Sequence, residues 1–572
     1  MPELRWHGAA TALCLLGLSS PAAGPGGPER RANDREAEGQ RGAVVSAEPH
    51  ASRAGLEVLR RGGNAMDAAV ATFLTLAVTH PQAGNLGGGG FLLYRPAKGP
   101  AVAIDFRERA PASAHRDMYL REDGTVDAEK SLFGATAAAV PGSPAGIVWA
   151  LEHYGTKSLD ELAAPAIRLA RQGVEVDHFL ANALAAKQAV LGRFPSTRDV
   201  FFVDDERPLR AGERLVQTDL AGTLARFATG GVEQFYGGAT GERILAQLRA
   251  GGVAATPADL TSYRPVERAP LRGLYRGYEI LSMPPPSSGG VALLQMLNIL
   301  EDYDLAALGF GSSQTLHLTA EAMRRAYADR SRWLGDPDHW SVPVEGMISK
   351  DYAAKLRATI RADRATDVAP GRPPGAEEGE DTTHFSVVDA AGNAVSCTTT
   401  INSTFGSGLV VRGAGFFLNN EMDDFSAKPG TPNQFGLVGG EANAVAAGKR
   451  PLSSMTPTII VREGRVRWVL GSPGGGRIIN TVLQVALNLI DHGMSLRHAV
   501  DAPRVHHQWK PNHLFYEPWV LSADVREALG ALGHRFAPKP SKIGRCQAIA
   551  VHEDGTRVGV ADARSGGTAV AY

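Results

Sequence analysis

The sequence contains very little cysteine. Only Cys14, Cys397 and Cys546 occur among 572 residues, and no C-x-x-C pair is present. So few cysteines exclude a disulfide framework and the usual zinc-binding spacings. Cys14 lies in a segment predicted to be removed, so Cys397 and Cys546 remain. Whether those two pair depends on a distance that the sequence does not give.

The sequence also lacks an excess of charge. Its 59 Lys and Arg residues balance 60 Asp and Glu residues, for a formal net charge of -1. A nearly neutral chain has no overall field that attracts nucleic acid or an acidic membrane surface. We therefore expect no nucleic-acid partner.

Apolar runs long enough for a membrane span are missing as well. The run Ala9–Leu18 has about half of the roughly 20 residues that a span requires. Arg5 precedes it and the small residues of SSPAAG follow, which predicts a cleaved export signal over residues 1–24. Residues 25–42 are polar and rich in Gly and Pro, and predict a flexible leader. We expect an exported protein, periplasmic or secreted, without a permanent membrane anchor.

Common catalytic and metal-binding patterns are absent too. There is no G-x-S-x-G serine elbow and no H-E-x-x-H, and the 16 histidines show no ligand spacing. The one adjacent pair, His506-His507, faces opposite ways if it lies on a strand, which favours a structural role. We expect neither a metal nor an organic cofactor.

Patterns of regular structure begin near Ala43, and 572 residues suffice for two domains or one large interleaved core. Segments 51–63 and 64–81 predict two helices, the second of them buried. Residues 365–381 hold several prolines and five acidic residues, which indicates an exposed loop. Beyond them THFSVVD, AAGN and AVSCTTTI predict a strand, a turn and a strand.

The junction of loop and strand, EEGEDTTHFSVVD, places Thr382 directly after Asp381. A threonine hydroxyl needs a base to become a nucleophile, and a chain-terminal amine with a pKa of about 7.7–8.0 is suitable. A threonine made N-terminal by cleavage carries both groups. The strand would hold Thr382, and the loop before it would leave after cleavage. Taken by itself, the local pattern favours an ordinary β-branched residue that opens a strand.

Motifs spread over the chain bear on this choice. DTTHFSVVD, NSTFGSGLV, LNNEMDDFS, KRPLSSMTPTI and GSPGGGRIINTVLQ resemble the γ-glutamyltransferase (glutathione hydrolase) family in order and spacing. Upstream, GGNAMDAAVA, GNLGGGGFLLY, IDFRERAP, PPPSSGG and AEAMRRAYADRS extend the resemblance to roughly Val44–Tyr572. Many long motifs in fixed order are far more specific than one short motif.

The resemblance implies an α+β fold of the N-terminal-nucleophile hydrolase type. This is an αββα four-layer sandwich, with two stacked, mainly antiparallel sheets between helical layers. It also implies that the precursor cuts itself between Asp381 and Thr382. The products would be a large subunit, residues 43–381, and a small catalytic subunit, residues 382–572, which remain together as a heterodimer.

The resemblance also assigns residues to a γ-glutamyl headgroup, which carries an α-carboxylate and an α-ammonium. Arg107 matches the arginine that pairs with the carboxylate, as a planar guanidinium can. Ser453 and Ser454 match the serines that hydrogen-bond the same group, although their pattern also fits a plain turn. The polar set around the ammonium corresponds to Asn402, Glu421 and Asp424. Many bacterial members have glutamine at the position of Glu421, so its charge is expected to alter the pH dependence.

Further matches surround the nucleophile. Gly474 and Gly475 match the glycines of the oxyanion hole, where the missing Cβ permits close backbone approach. A phosphate cradle is the competing interpretation, but Arg477 stands where a Lys-Ser/Thr pair is expected. Thr400 matches the threonine that orients the nucleophile. Phe435 lies in the segment that resembles the lid loop, where many bacterial members have tyrosine.

Together these features predict a self-processing enzyme that cleaves the γ-glutamyl amide of glutathione and related compounds. The acyl group would pass from Thr382 to water or to amino-acid or dipeptide acceptors. One alternative is an acylase for glutaryl or cephalosporin-type substrates, which lack the α-ammonium. The other is an uncleaved binding protein without catalytic activity.

Overall fold

The structure is a computed structural model that describes residues 35–370 and 383–572. The predicted export signal, Asp381 and Thr382 lie outside the described residues. The first strand, Glu36–Gly39, lies inside the stretch predicted as a flexible leader. That part of the prediction is wrong, because the strand pairs with Arg557–Ala561 at a sheet edge. A sequence rich in Glu and Gly gives no hydrophobic signal, since its side chains alternate between exposed and half-buried positions.

The described chain contains runs of strands and runs of helices. The strands are β1 (Glu36–Gly39), β2 (Ala43–Ser46), β3 (Gly89–Arg95), β4 (Val102–Asp105), β5 (Val174–Glu175), β6 (Phe202–Val203), β7 (Arg207–Pro208), β8 (Arg214–Leu215), β9 (Val266–Arg268), β10 (Leu271–Tyr275), β11 (Tyr278–Ser282), β12 (Thr383–Val388), β13 (Ala394–Thr400), β14 (Thr458–Arg462), β15 (Arg465–Leu470), β16 (Val505–His506), β17 (Phe515–Tyr516), β18 (Gln547–Val551), β19 (Arg557–Ala561) and β20 (Thr568–Ala571). The α-helices are α1 (Pro49–Arg60), α2 (Ala65–Thr79), α3 (Ala128–Leu132), α4 (Ser143–Tyr154), α5 (Leu159–Gln172), α6 (His178–Leu191), α7 (Pro195–Phe201), α8 (Thr218–Tyr236), α9 (Ala239–Ala250), α10 (Pro257–Thr261), α11 (Gly289–Leu300), α12 (Leu305–Leu308), α13 (Ser313–Trp333), α14 (Val344–Met347), α15 (Lys350–Arg357), α16 (Arg477–Ile490), α17 (Leu496–Asp501) and α18 (Ala523–Ala531).

Two antiparallel sheets form the centre of the molecule. One has the order β20-β2-β12-β13-β3-β4-β9, and the other has the order β1-β19-β18-β15-β14-β11-β10. Their facing sides share one apolar layer, in which Phe91 and Val45 of the first sheet meet Ile459 and Ile549 of the second. This interleaving puts strands from both ends of the chain into each sheet.

A helical layer covers the outer face of each sheet. Helices α1, α2, α4, α5 and α8 pack on the first sheet, and α11, α13, α15 and α16 pack on the second. The predicted αββα four-layer sandwich is therefore confirmed. One large interleaved core accounts for a chain of this length, because neither sheet belongs to a single sequence segment.

The two N-terminal helices are placed as the sequence predicts. Asn64 caps α2 by accepting hydrogen bonds from the backbone N–H groups of Met66 and Asp67, and Asp67 completes a capping box. Every residue of α2 is buried, which explains its uninterrupted apolar composition. Among the described residues, no helix is long and apolar enough to cross a membrane.

The loop predicted from residue 365 is anchored over its first residues. The Ala365 N–H donates to the Leu532 carbonyl at 2.6 Å. Further on, the Trp509 indole donates to the Val368 carbonyl at 2.7 Å. Residues 365–368 form a loop without regular structure, as predicted, but the predicted exposure is wrong for Ala365, Thr366 and Val368, which are half-buried. The composition of this loop gave no sign of partners that lie about 140 to 170 residues later in the chain.

Candidate active site

Strand β12 fixes the residue that follows the predicted nucleophile. Thr383 opens β12 and is buried between β2 and β13, pairing directly with Thr399 of β13. Thr400, the last residue of β13, is also buried, and its hydroxyl accepts the Asn402 N–H at 2.7 Å. The sequence-predicted Thr400 thus lies one position beyond the partner of Thr383.

The predicted headgroup residues Arg107, Glu421 and Asp424 meet in one buried cluster. The Arg107 guanidinium forms ion pairs with Glu421 and with Asp424. It also donates to the backbone carbonyls of Pro451 at 3.0 Å and Leu452 at 3.2 Å. Glu421 and Asp424 follow Arg107 by 314 and 317 positions in the sequence, and the fold brings both to its guanidinium.

The local fold explains how Arg107 reaches this cluster. It follows β4, and its backbone N–H donates to the Asp105 carboxylate at 2.9 Å. Its backbone carbonyl accepts a hydrogen bond from the Tyr263 hydroxyl at 2.7 Å, so both the N–H and the carbonyl of Arg107 are held. Glu421 and Asp424 lie in a 3₁₀ helix, Glu421–Asp424, which points both carboxylates toward the same guanidinium.

Glu108 belongs to the cluster, although the sequence analysis assigned it no role. Its carboxylate lies 3.4 Å from Arg107 and faces Glu421. Burial raises the pKa of both Glu108 and Glu421, and the positive charge of Arg107 offsets only part of this effect. The signal that could have found Glu108 is its position beside Arg107 in IDFRERAP.

Burial alone lowers the pKa of Arg107, but the facing carboxylates of Glu421 and Asp424 outweigh it and raise the pKa. Arg107 therefore remains a cation while the carboxyls around it compete for one partner. A buried group of this kind suits a ligand that brings both signs of charge.

The two predicted serines lie beside the Arg107 cluster, and each is fully buried. The backbone carbonyl of Ser453 accepts hydrogen bonds from the N–H and the hydroxyl of Ser288, both at 2.7 Å. The Ser454 hydroxyl accepts from Arg330, a buried arginine of α13 that also donates to the Ser288 hydroxyl at 2.6 Å. The sequence analysis missed Arg330, because an arginine on a helix usually reaches solvent.

Asn402 is held in a left-handed backbone conformation with φ of +68°. Its side-chain N–H group donates to the Asn420 carbonyl at 2.8 Å. Its side-chain oxygen is buried and has no hydrogen-bond partner among the described residues. Since Asn402 lines a cavity together with Thr383, this oxygen is an acceptor available to a ligand.

Gly474 and Gly475 form the turn between β15 and α16. Their φ angles are +129° and +63°, in the region that favours glycine. A Cβ on Gly474 would lie 3.2 Å from the Cα of Gly544, so a side chain would strain the contact between the two loops. Backbone N–H groups before a helix favour negative charge, as the oxyanion assignment requires.

Phe435 lies in a turn closed by the hydrogen bond from the Asn433 N–H to the Leu437 carbonyl, 2.9 Å long. The Gln508 side chain donates to the Phe435 carbonyl at 3.2 Å. Phe435 and Gly474 line the same cavity, so the predicted lid residue and the glycine turn share one space.

The residues set aside in the sequence analysis are structural in this fold. His506 contacts Asn480 at 2.7 Å and Gln508 at 2.8 Å, and His507 accepts from Arg324 at 3.0 Å. Within the described ranges no group of His, Cys, Asp or Glu is arranged to hold a metal ion. The open question about cysteine is resolved, because Cys397 and Cys546 are both free and buried.

The chain is similar to proteins of one family over most of its length. A family model described as gamma-glutamyltranspeptidase matches residues 51–572. A glutathione hydrolase proenzyme of Escherichia coli (strain K12) is 48% identical over 530 residues, covering 92% of this chain and 91% of its own. An acylase ACY 1 proenzyme of Pseudomonas sp. (strain V22) is 41% identical over 561 residues, with coverage of 97% and 98%.

A solved structure extends the similarity to three dimensions. The crystal structure of cephalosporin acylase from Bacillus halodurans superposes with a TM-score of 0.85 at 30% identity, covering 97% of this chain and 99% of that one. One fold can therefore carry more than one activity, so the fold by itself does not assign the activity of this chain.

Proposed function

Because the chain belongs to the γ-glutamyltranspeptidase family, we propose that it is a self-processing enzyme that cleaves the γ-glutamyl amide of glutathione and related compounds. The acyl group passes to water or to an amino acid or dipeptide. One observation carries this proposal: the buried cluster in which Arg107 faces Glu421 and Asp424.

The cluster suits a zwitterion because the two charges of the substrate can replace the ion pairs that Arg107 makes with Glu421 and Asp424. The α-carboxylate of the substrate takes Arg107, and the α-ammonium takes Glu421 and Asp424. Each buried charge then leaves one partner for another, so none remains uncompensated. The side-chain oxygen of Asn402 and the hydroxyls of Ser453 and Ser454 supply further hydrogen bonds.

The same charge balance disfavours the acylase alternative, which is considered because the chain is similar to acylases. A glutaryl group offers a carboxylate to Arg107 but brings no ammonium, so Glu421 and Asp424 would lose their cation. Leaving a buried charge unpaired costs about 3–5 kcal/mol. Comparing kcat/KM for γ-glutamyl-p-nitroanilide and glutaryl-p-nitroanilide decides between them, and preference for the glutaryl compound would reverse the assignment.

Catalysis begins with Thr382, the residue that directly precedes Thr383 of β12 in the sequence. Its hydroxyl oxygen bonds to the γ-carbonyl carbon while its proton passes to the neutral α-amine of the same residue. The N–H groups at Gly474 and Gly475 receive the negative oxygen. The C–N bond then breaks, and the amine returns the proton to the departing nitrogen. Water or an acceptor amine attacks the ester, the bond to Thr382 breaks, and the hydroxyl is restored.

The same nucleophile accounts for maturation. In the precursor, the Thr382 hydroxyl attacks the carbonyl of Asp381, and the peptide C–N bond breaks as an ester forms. Water then cleaves the ester, leaving a carboxylate on Asp381 and a free amine on Thr382. The products are the large subunit, residues 43–381 with the preceding strand, and the small subunit, residues 382–572. Both sheets contain strands of both subunits, hydrogen-bonded to one another, which supports a heterodimer that stays together. Export to the periplasm or medium belongs to the same proposal.

Replacing Thr382 tests both steps at once. Thr382→Ala is expected to remain one chain on a denaturing gel and to hydrolyse no γ-glutamyl-p-nitroanilide. Thr383→Val is the matched control, since it changes the neighbouring threonine while preserving its shape, and it should be cut. Intact mass spectrometry of the wild type should report both the signal removal and the cut after Asp381. Normal cleavage of Thr382→Ala refutes the assignment, and an uncut, inactive wild type supports the binding-protein alternative.

A further inference from the structure

A strongly basic cavity lies beside the glycine turn. It has a volume of about 500 Å³ and is lined by Gly474, Phe435 and the cationic side chains of Arg477, Lys542, Arg545 and Arg564. None of its lining residues in the described chain is acidic. This size falls within the roughly 300–1,000 Å³ of small-molecule sites.

The four cations are not equally available to a ligand. Arg564 is paired with Glu517 at 2.6 Å and with Asp562 at 2.9 Å, so its charge is balanced. Arg477 donates one N–H to the Lys542 carbonyl at 2.6 Å and lies over the Phe515 ring. These contacts hold Arg477 in place without neutralising it.

Arg545 is the cation with the most unused capacity. Its backbone N–H donates to the Ser472 hydroxyl at 2.8 Å. Ser472 lies two residues before Gly474 in the facing loop, so this hydrogen bond fixes Arg545 close to the glycine turn. Across residues 35–370 and 383–572, no hydrogen bond or ion pair of its guanidinium is found. A half-buried arginine with five N–H groups and no anion is therefore open to a carboxylate.

Arg545 also borders the predicted reaction point from a second side. It lines the smaller cavity that contains Thr383 and Asn402, as well as the basic cavity at Gly474. The positive charge of Arg545 also acts on the buried His80. Burial is the larger cause and Arg545 the second, and together they lower the pKa of His80 to about 4. The Arg107 cluster contributes no residue to the lining of either cavity.

We propose that Arg545, assisted by Arg477 and Lys542, binds the carboxylate of the group that leaves the donor and of the acceptor that replaces it. This inference rests on the proposed function. The departing and the incoming amine must occupy the same place, because the second half of the reaction reverses the first. In glutathione the terminal carboxylate lies two residues beyond the scissile nitrogen, about 7 Å when extended. Arg545 supplies a paired-donor fork for that carboxylate at the mouth of the site.

The test compares donors that differ only beyond the scissile nitrogen. Glutathione carries the carboxylate, glutathione amidated at its glycine lacks it, and γ-glutamyl-p-nitroanilide has an uncharged leaving group. In the wild type, amidation should lower kcat/KM about 10-fold, the usual effect of losing one charge-assisted contact. In Arg545→Gln the ratio of kcat/KM for glutathione to that for the amide should fall to about 1, and Arg545→Lys should recover part of it.

The acceptor is tested in the same way. Transfer to glycylglycine should exceed transfer to glycylglycinamide in the wild type, and the difference should disappear in Arg545→Gln. Arg61→Gln is the matched control, since Arg61 is exposed and pairs with the exposed Glu57, and its ratios should equal those of the wild type. Arg477→Gln provides a second variant if Arg545→Gln is not cut into subunits.

The outcomes separate this inference from the proposed function. If the wild type turns over glutathione and its amide equally, or if Arg545→Gln keeps the wild-type ratio, Arg545 does not bind the carboxylate. If the wild type hydrolyses none of the three donors, the γ-glutamyl activity itself is wrong.

Discussion

Arg107→Gln is the perturbation with the most direct consequence for the site. It removes the guanidinium that Glu421 and Asp424 share, and it leaves Glu108 beside them. All three carboxyls are buried, with at most 1% of each side chain exposed. Breaking a buried ion pair from one side costs about 3–5 kcal/mol. For a chain of this length we expect a decrease in Tm of about 3–5 °C.

The same substitution should lower activity through substrate binding. Removing one partner of a buried charge pair costs about 2–5 kcal/mol, so kcat/KM for γ-glutamyl-p-nitroanilide should fall about 30-fold or more. The variant must first be shown on a denaturing gel to be cut into subunits. A second change, Asp424→Asn, should restore part of the lost Tm in the Arg107→Gln background, because one unpaired carboxylate is removed, but it should not restore activity.

Arg116→Gln is the matched control for this experiment. Arg116 pairs with Glu441 at the surface, where an ion pair contributes about 0–1 kcal/mol. The reasoning about the buried cluster is refuted if Arg107→Gln lowers Tm no more than Arg116→Gln does. It is also refuted if kcat/KM for γ-glutamyl-p-nitroanilide stays within a factor of about three of the wild type.

Three further predictions concern pH, backbone geometry and redox state. Burial raises the pKa of the Asp423 carboxyl from its ordinary value of 3.8 to about 6. The protonated carboxyl therefore contributes its full stabilisation of the fold below pH 3.8, and this stabilisation is lost as the pH rises through 6. Asp423→Asn should therefore raise Tm by about 3 °C relative to the wild type at pH 8 and leave it unchanged at pH 3.5; equal effects at both pH values would contradict this. Gly474→Ala should reduce kcat about 100-fold or more by displacing an oxyanion donor, whereas Gly309→Ala, with φ of +82° and open space around it, should keep full kcat. Because Cys397 and Cys546 are free, dithiothreitol should not change Tm, and a decrease of several degrees would reveal a disulfide.

Much of the fold could be predicted because it depends on local pattern. The buried helix α2 and the strand pair β12 and β13 begin and end within a few residues of their signals in the sequence. The edge strand β1 and the anchored segment at Ala365 were missed for a common reason. Their partners, β19 and Leu532, are distant in the chain, and polar segments carry no periodic signal for such contacts.

By itself, the sequence determined the family, through the order and spacing of its motifs, and the resemblance to that family implied the αββα architecture and the residue types of the site. Only the tertiary structure decided which of those residues meet. It joined Arg107 to a 3₁₀ helix more than 300 residues away, buried Glu108 beside Arg107 and Arg330 against Ser454, and placed Arg545 beside Gly474 in a cavity whose described lining contains no acidic residue. Charge balance in a buried site depends on distances of a few ångströms, and only the folded chain sets those distances.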